Sequence, residues 1–562
     1  MLQLVSERSP VVKLTTWRTN DVAKLPPRMK NAVAWGTVAS IFLVFGSSGC
    51  RRDPSGPRWD IDVVGPLVTT SFTISDLVAD SLLEVDGAGN ITLVYRTELF
   101  ALRLDTVLQA PDTSFTYPSV MPITGNLPAG FTFPATSDLT RFDLDDLELR
   151  DLRIRSGILK VVVHNELPGV VIGNFGLPGG FDANGIPFSL QATVPDGTNL
   201  VPGVFSRTTD LSSFTFDLRG PDYNDVNTLA TVLSYQLDPN GPANVPVVLG
   251  DSLNTELSYE DIVPAYARGY FGNRTIDIGP ERTELGIFDN VISGTLDLDE
   301  VLALVVIRNG IGVDVQVHLD HLRARNGRTN STIDLVHPIT SGPINLNRAT
   351  DLGNAPQAST YTTVLDPGNS NLDAMLESLP DSIEYAGQLI VNPLGDISNG
   401  NDFLYYESLL QADLEVHVPL RLIATDLVLQ QTTAVDLPGS DEGHALQSGL
   451  LHLFATNGFP FSAGIVLEII NDADQVVGQI PVQGVMASGI LGADGLVTAS
   501  VDSQLDAAVS EELMDLLYSA GRLRISTLFN TADQSQHVQL LDGYRMDLQV
   551  TVEANYLVNG DE

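Results

Sequence analysis

Short runs in which apolar and polar residues alternate recur along this chain, with turn-forming residues between them. From Met546 to Val552 every second residue is apolar, which is the period of a half-buried strand. Asp86–Gly89 forms a turn-like segment in front of the strand-like run Asn90–Tyr95. The 48 glycines and 32 prolines fall mainly between such runs, as expected for many short strands. The pattern predicts a mainly β fold of antiparallel, sandwich-like units with a few short helices.

The segment Phe142–Ile154 departs from this alternation. Its apolar residues recur at alternating spacings of two and three, which fits neither a regular strand nor a helix. The spacing favours a strand interrupted by β-bulges. A solenoid turn is the alternative, but it would need repeated copies, which we do not find.

Two segments have helical periodicity. Ser503–Ala520 places apolar residues on one face, with Asp502 or Ser503 as N-cap and Gly521 at its end. A shorter helix is predicted from Asn371 to Leu379, before Pro380. We expect each helix to cover a sheet, because the acidic residues of 503–520 would be repelled by an anionic bilayer. Each helix precedes a strand-like stretch, Ile383–Val391 and Leu523–Phe529 respectively.

One short pattern occurs three times: a strand, an asparagine, any residue, an apolar residue, and then proline or glycine. The asparagines are 144 and 148 residues apart, a domain-like spacing. The repeat predicts three related tandem units, at 61–235, 236–385 and 386–562. The motif residues are Asn165 and Pro168, Asn309 and Gly312, and Asn457 and Pro460.

A Ser-Gly pair strengthens the relation between the first and third copies. Ser156–Gly157 and Ser448–Gly449 lie at the same offset before the asparagine, whereas Ser293–Gly294 lies further upstream in the middle unit. The motif has a structural interpretation, since asparagine can hydrogen-bond nearby backbone while proline or glycine fixes the turn. The apolar residue after the asparagine would fill the core at the end of the strand.

The strand–asparagine–turn–strand pattern resembles the β-sandwiches of the water-stress and LEA-14-like family. The similarity covers about 30 residues of each unit and implies antiparallel sandwiches. A lipid-binding tubular fold of long curved strands and a helix is a second resemblance, which the pattern does not separate from the first.

The single cysteine, Cys50, follows the charge-free apolar run Ala32–Phe45 and four small residues, Gly46–Gly49. The run is shorter than the ~20 residues that cross a bilayer, but it fits the ~7–15 residues of a signal-peptide core. Met29 and Lys30 supply the short basic start of such a peptide. We therefore expect residues 29–49 to be the signal peptide and residues 1–28 to be a mis-assigned upstream extension.

Gly49–Cys50 resembles the end of the bacterial lipobox, although Ser47 stands where an aliphatic residue is usual. The resemblance implies cleavage before Cys50, attachment of diacylglycerol and often of an N-acyl chain such as palmitate, and stable anchoring. Residues 50–60 would form a tether, and Arg51, in place of aspartate, favours the outer membrane. An ordinary signal peptide with a stray cysteine is the alternative.

The chain is strongly acidic, with a net charge of −40. Residues 1–49 hold six of the 30 basic and two of the 70 acidic residues, so the processed chain would carry −44. Nucleic acid and anionic surfaces are therefore unfavourable partners. The acidity favours solubility. Cation binding is the alternative, but no calcium-loop motif is present.

Candidate chemistry is sparse. One cysteine allows neither a disulfide framework nor a cysteine metal site. The eight histidines are scattered, and the nearest pair, His318 and His321, would lie on opposite faces of a regular strand. Nucleophile-elbow, phosphate-loop, H-E-x-x-H and dinucleotide motifs are missing from the sequence. Carboxylate groups such as Asp143, Asp145 and Asp146 are too frequent to be assigned a role. We predict no catalytic residue, metal or cofactor.

These features predict a lipid-anchored protein of the bacterial cell envelope that acts as a non-catalytic binding or scaffolding module. Its partner would be the membrane itself and an envelope protein or glycan. A lipid or glycan carrier with an apolar pocket closed by the 503–520 helix is the alternative, and a carbohydrate-active hydrolase is the third possibility. A carrier requires a large apolar cavity and a hydrolase requires polar residues that converge in a cleft, whereas a scaffold exposes strand edges or apolar patches.

Overall fold

The computed structural model describes residues 58–74, 80–103, 111–288, 291–435 and 445–559. Antiparallel strands dominate, which confirms the predicted mainly β class with sandwich-like units and few helices.

The strands are named in chain order. The first fourteen are β1 Arg58–Thr73, β2 Leu83–Val85, β3 Ile91–Arg103, β4 Thr113–Val120, β5 Gly125–Pro128, β6 Thr136–Arg141, β7 Glu148–Asn165, β8 Val171–Phe181, β9 Pro187–Val194, β10 Gly203–Asp210, β11 Thr215–Asp217, β12 Thr228–Leu237, β13 Asn244–Val247 and β14 Ser252–Tyr270. The next twelve are β15 Arg274–Glu284, β16 Val291–Leu298, β17 Leu302–Asn309, β18 Val315–Asn326, β19 Ser331–Asp334, β20 Ile344–Leu346, β21 Thr350–Asp351, β22 Pro356–Gln357, β23 Ser359–Leu365, β24 Ser382–Val391, β25 Asp402–Tyr405 and β26 Leu409–Pro419. The last eleven are β27 Arg421–Ala434, β28 Ala445–Asn457, β29 Phe461–Ile470, β30 Val476–Ile480, β31 Val482–Gln483, β32 Ile490–Leu491, β33 Val497–Ala499, β34 Val501–Val509, β35 Arg522–Thr531, β36 Val538–Gln539 and β37 Arg545–Asn559. The described α-helices are α1 Leu372–Glu377 and α2 Glu511–Ala520, and short 3₁₀ turns lie at Asp80–Leu82, Gly286–Phe288 and Pro338–Thr340.

The chain forms two compact units, and neither is continuous in sequence. Unit I contains the described residues up to Leu93, Ile287–Asp299 and those from Pro419 onward. Unit II contains Val94–Gly286 and Glu300–Val418. The chain therefore begins in unit I and passes to unit II, where it forms the larger part of that unit. It then returns to unit I for one short segment, passes to unit II again, and ends in unit I.

The same two-sheet topology occurs three times. The first sheet has the order β4-β14-β7-β10 in one copy, β3-β26-β17-β23 in the next and β1-β37-β28-β34 in the third. The second sheet has the order β6-β12-β8-β9, then β15-β24-β18-β19, then β27-β35-β29-β30. We call these copies 1, 2 and 3. In copy 1 the short strand β11 pairs with both β7 and β8, so its two sets of strands belong to one ten-stranded sheet. Copies 1 and 2 belong to unit II, apart from the first residues of β3 and the last residue of β26, and copy 3 belongs to unit I.

The copies are nested rather than simply consecutive along the chain. Copy 1 runs without interruption from β4 to β14, whereas copy 2 takes its first strand, β3, from before copy 1. Copy 3 takes β1 from the start of the described chain, where Arg58 pairs with Asn559 of β37. The three tandem boundaries at 61, 236 and 386 stay a prediction. Any division of the chain has to place β1 and β37 in the same unit, because the two strands pair.

The helix predicted over 503–520 is wrong in its first half. Residues up to Val509 continue strand β34, and the helix begins only at Glu511, after its N-cap Ser510. Leu505 and Val509 are four residues apart, a spacing that also places two side chains on one face of a strand. Gly521 ends the helix with φ 65°, as predicted.

Two other predictions from the sequence are confirmed. Helix α1 follows Asn371 and ends before Pro380, and strands β24 and β35 follow the two helices. In the irregular segment, residues 142–147 lie outside any strand, so the bulged strand predicted over 142–154 is confirmed only from Glu148, where β7 begins. Within β7, Arg150 is left unpaired between Leu149 and Asp151. This bulge explains the three-residue step from Leu149 to Leu152, both of which are buried.

The Ser-Gly pairs also lie at or beside bulges. Gly157 is skipped in the pairing of β7 with β14, and Gly294 is skipped in the pairing of β16 with β27. In β28 the register shifts between Leu446 and Ser448. Gly294 has φ +108°, and a Cβ there would lie 2.4 Å from the carbonyl oxygen of Asp426, so this bulge requires glycine.

Candidate functional site

The three motif asparagines occupy equivalent, fully buried positions at 0 % exposure. In each copy Oδ1 accepts a hydrogen bond from the backbone N–H two residues later, and Nδ2 donates to the carbonyl four residues later at 2.8–2.9 Å. Nδ2 also donates to a loop carbonyl 30 or 38 residues downstream, at 2.7–2.9 Å. The downstream carbonyls belong to Pro195, Asn347 and Ala487 for Asn165, Asn309 and Asn457 respectively.

Each asparagine thus joins three chain segments at one end of its sheet. It ends the central strand, lies opposite the first residue of the neighbouring strand (Gly203, Ser359 or Val501), and holds the loop before that strand. Because all its polar atoms are buried and bonded to backbone, none is available to a ligand. The arrangement stabilises the fold and is no binding site.

The motif residue Gly312 shows why copy 2 differs from the others. Its N–H donates to the carbonyl of Phe403 at 2.9 Å, and a Cβ would meet the Phe403 ring at 2.2 Å. Proline lacks this N–H and carries a ring. It therefore cannot replace Gly312, although it occupies the same motif position in the other two copies, as Pro168 and Pro460.

Within unit II, copies 1 and 2 are joined by a cluster around Asp351. The hydroxyls of Tyr266 and Tyr405 donate to its two carboxylate oxygens at 3.0 and 2.6 Å. The Arg153 guanidinium lies 4.3 Å from the centre of the Tyr266 ring. Strand β25, which lies in the segment between β24 and β26 of copy 2, pairs with β14 of copy 1, so that Tyr266 and Tyr405 are directly opposite. β25 is therefore an edge strand of the sheet of copy 1, whereas the strands of copy 2 form separate sheets.

The electrostatics of this cluster hold it in one protonation state. Burial works against ionisation of Asp351, but hydrogen bonds from Tyr405, the Gly353 N–H and Tyr266 outweigh it and lower the pKa of the carboxyl. Burial, reinforced by the Asp351 carboxylate, raises the pKa of the Tyr266 hydroxyl. Asp351 stays ionised and Tyr266 neutral through the neutral pH range, so the joint persists there.

The two histidines of the nearest pair, His318 and His321, contact different neighbours. A bulge does occur between Leu319 and His321, but His318 contacts Gln316 and His321 lies 3.5 Å from Glu384. Among the residues that the structure describes, no three His, Cys, Asp or Glu side chains are arranged to hold a metal ion.

Two surface depressions are large enough to be considered. One, of about 550 Å³, lies against α2 and is lined by Glu511, Glu512, Asp515, Leu516 and Ser519. The other, of about 530 Å³, lies between β3 and β15 and includes Glu98, Asp277 and Glu281 in its lining. Both are partly open and carry carboxylates, unlike the enclosed apolar cavity expected of a lipid carrier.

An end of copy 1 carries a group of exposed aliphatic side chains that sequence reasoning missed. Three loops meet there, 121–125, 197–202 and 246–250, which we call the apolar tip. Strand register places them together, because Val120 pairs with Ser252 and Asn165 pairs with both Leu253 and Gly203. The exposed side chains are Ile123, Leu200, Val201, Val248 and Leu249, between 57 and 88 % accessible. A signal was present in the sequence, since these loops contain no charged residue.

The predicted cleavage and lipidation residues, Gly49 and Cys50, lie outside the described residues, as do the predicted signal peptide and the start of the tether. Within the described ranges, no helix has the length and apolar character needed to cross a membrane.

Comparison with known proteins gives no family. No protein-family model matches the chain, and no curated protein is significantly similar to it. Among solved structures, a predicted secreted protein from Parabacteroides distasonis aligns with 50 % of this chain and 82 % of its own, at 15 % identity and a TM-score of 0.25. The VP2 subviral particle of infectious bursal disease virus aligns with 81 % of this chain and 82 % of its own, at 10 % identity and a TM-score of 0.11.

Proposed function

We propose that this chain is a lipid-anchored protein of the bacterial cell envelope that acts as a non-catalytic binding or scaffolding module. The observation that carries the scaffolding part is the joint between copies 1 and 2. The pairing of β25 with β14 and the Asp351 cluster fix two similar sandwiches to each other, and a fixed spacing between modules is what a scaffold must provide.

The anchoring part rests on the sequence around Cys50. Strand β1 begins at Arg58, so residues 51–57 separate it from the cysteine. Seven extended residues reach about 25 Å at most, which keeps the Arg58 end of β1 near the bilayer. Diacylglycerol and an added acyl chain would make the attachment stable, since two chains anchor far more firmly than one.

The anchor is tested by expressing Cys50→Ala beside the unmodified chain and fractionating the cells. We expect the unmodified chain in the membrane fraction and Cys50→Ala in the soluble fraction. Ser55→Ala, a change in the same tether that keeps the cysteine, should remain with the membrane. Retention of Cys50→Ala in the membrane fraction would contradict lipid anchoring at this residue.

Native mass spectrometry of purified Cys50→Ala separates the scaffold from a carrier. A scaffold is expected at the mass of the polypeptide alone. A lipid or glycan that copurifies at one molecule per chain, and that survives detergent-free purification, would instead support the carrier function.

A further inference from the structure

The apolar tip of copy 1 exposes five aliphatic side chains to solvent. Leu200 is 88 % accessible, Val201 73 % and Leu249 66 %. They project from two of the three loops, 197–202 and 246–250. Clustered exposed apolar groups on a soluble domain generally mark a contact site.

The tip loops are held in place by their own hydrogen bonds. Leu249 N donates to Thr124 Oγ1 at 2.9 Å, which joins two of the loops. Thr198 N donates to the Val201 carbonyl at 3.0 Å, and Val201 N donates to Thr198 Oγ1 at 3.1 Å. Pro122, Pro202 and Pro246 add three further positions without an N–H. Of the exposed aliphatic residues, Val201, Val248 and Leu249 have their backbone donors satisfied internally, which lowers the cost of moving these turns into an apolar phase.

Charge is excluded from the tip in an otherwise highly charged chain. The three loops contain no Asp, Glu, Lys or Arg, whereas 18 % of the whole chain is charged. Two carboxylates at its base are used internally, whereas Asp196, next to loop 197–202, is exposed. Glu166 accepts from Ser252 N and Oγ at 2.9 and 2.7 Å, and Asp251 accepts from Val248 N at 2.8 Å.

We propose that the apolar tip inserts into the interface of an electrically neutral lipid bilayer. The proposal rests on the envelope location proposed above, and it does not depend on lipid attachment at Cys50. Protruding, uncharged aliphatic groups on internally bonded turns can enter the acyl boundary without burying a charge.

The composition of the tip favours lipid over a protein partner. Energetically dominant residues of protein interfaces are enriched in Trp, Tyr and Arg, and the three loops contain none of these. The net charge of −40 opposes approach to anionic lipid. A bilayer of zwitterionic lipid is therefore the surface that this tip fits.

The test uses the full chain with Cys50→Ala, so that no lipid anchor contributes, and flotation with phosphatidylcholine vesicles. The parent should float with the vesicles, and the double variant Leu200→Asp, Leu249→Asp should reduce its partition coefficient by at least about tenfold, because each change places a charge in the apolar layer. Vesicles rich in phosphatidylglycerol should bind the parent more weakly at low salt.

The matched control is Ile186→Asp, Leu394→Asp, which adds the same charge at two aliphatic residues that are 59 and 76 % exposed outside the tip. It should float like the parent, and circular dichroism should show all three proteins equally folded. Absence of vesicle binding by the parent, or equal loss in the control, would overturn the proposal. So would a parent dimer in sedimentation that the tip variant abolishes without any vesicle binding, since a second copy would then cover the tip.

Discussion

At the scale of single residues, the motif asparagine explains how a loose sequence repeat encodes a repeated fold. One side chain satisfies three backbone groups that would otherwise be buried without partners at the end of a sheet. Few other residues offer an amide donor and acceptor at this length. The sequence allowed this structural role to be predicted, but the downstream carbonyl could not be identified, because it lies 30 or 38 residues away in a loop of unrelated sequence.

Replacing Asn165 or Asn457 by alanine should destabilise the unit that contains it. Each change removes three hydrogen bonds and leaves buried backbone groups without a partner, which should lower the free energy of unfolding by about 2–4 kcal/mol. Hydrogen exchange read by mass spectrometry should show faster exchange in unit II for Asn165→Ala and in unit I for Asn457→Ala. Asn240→Ala, at an exposed position, should leave both unchanged. Wild-type exchange in either motif variant would show that the amide is dispensable.

Aspartate side chains also accept hydrogen bonds from backbone N–H groups, in the turns, and these turn aspartates are part of the reason why the chain is acidic. Asp86 accepts from the backbone N–H groups of Ala88 and Asn90, and Asp182 accepts from those of Asn184 and Ile186. The hydrogen bond from the Asn90 side chain at 2.8 Å, followed by the backbone bonds, lowers the pKa of the Asp86 carboxyl. The backbone bond from Ile186 contributes most to the lowered pKa of Asp182. Composition alone could not separate these turn-forming aspartates from a cation site or a solubilising surface, because the three uses share one residue type.

At the scale of elements, side-chain period alone could not separate strand β34 from helix α2. Leu505, Val509 and Leu513 follow a four-residue spacing that both structures accommodate. The boundary is set by Ser510, whose side chain accepts a hydrogen bond from Leu513 N at 3.3 Å. Glu511 and Glu512 then lie in the first turn, where the helix dipole favours negative charge. Below the helix, Met514 and Leu517 pack into a core that includes Ile469 and Val509.

Ser510→Ala should therefore loosen α2 without disrupting the sheet beneath it. Loss of the N-cap is expected to lower the free energy of unfolding by about 1 kcal/mol, measured by urea denaturation followed at the unit I transition. Ser510→Asp, which can still cap the helix, should retain the parental value. If the alanine and aspartate variants are equally stable, the cap contributes nothing to this boundary.

At the scale of the whole molecule, the repeat and the nesting differ in how far the sequence reveals them. The motif indicates three related units because each copy of it lies within a few consecutive residues and can be recognised in the sequence. The pairing of β1 with β37 joins residues about 500 positions apart in the chain, and no local pattern encodes such a long-range partner. The apolar tip was missed for a similar reason, since its three loops come together only through strand register.

Nesting predicts which unit depends on the first strand. β1 forms 15 residue pairs with β37, so deleting residues 51–74 should leave β37 as an unprotected edge and weaken unit I. Limited proteolysis should then cut within 419–559 much faster than in the parent, while the continuous copy 1 at 113–270 stays protected. Deleting residues 51–57 alone, which leaves β1 intact, is the matched control and should behave as the parent. If cleavage occurred in 113–270 before 419–559, the first strand would instead stabilise the residues that follow it in sequence. That is the result which the tandem division at 61–235 requires.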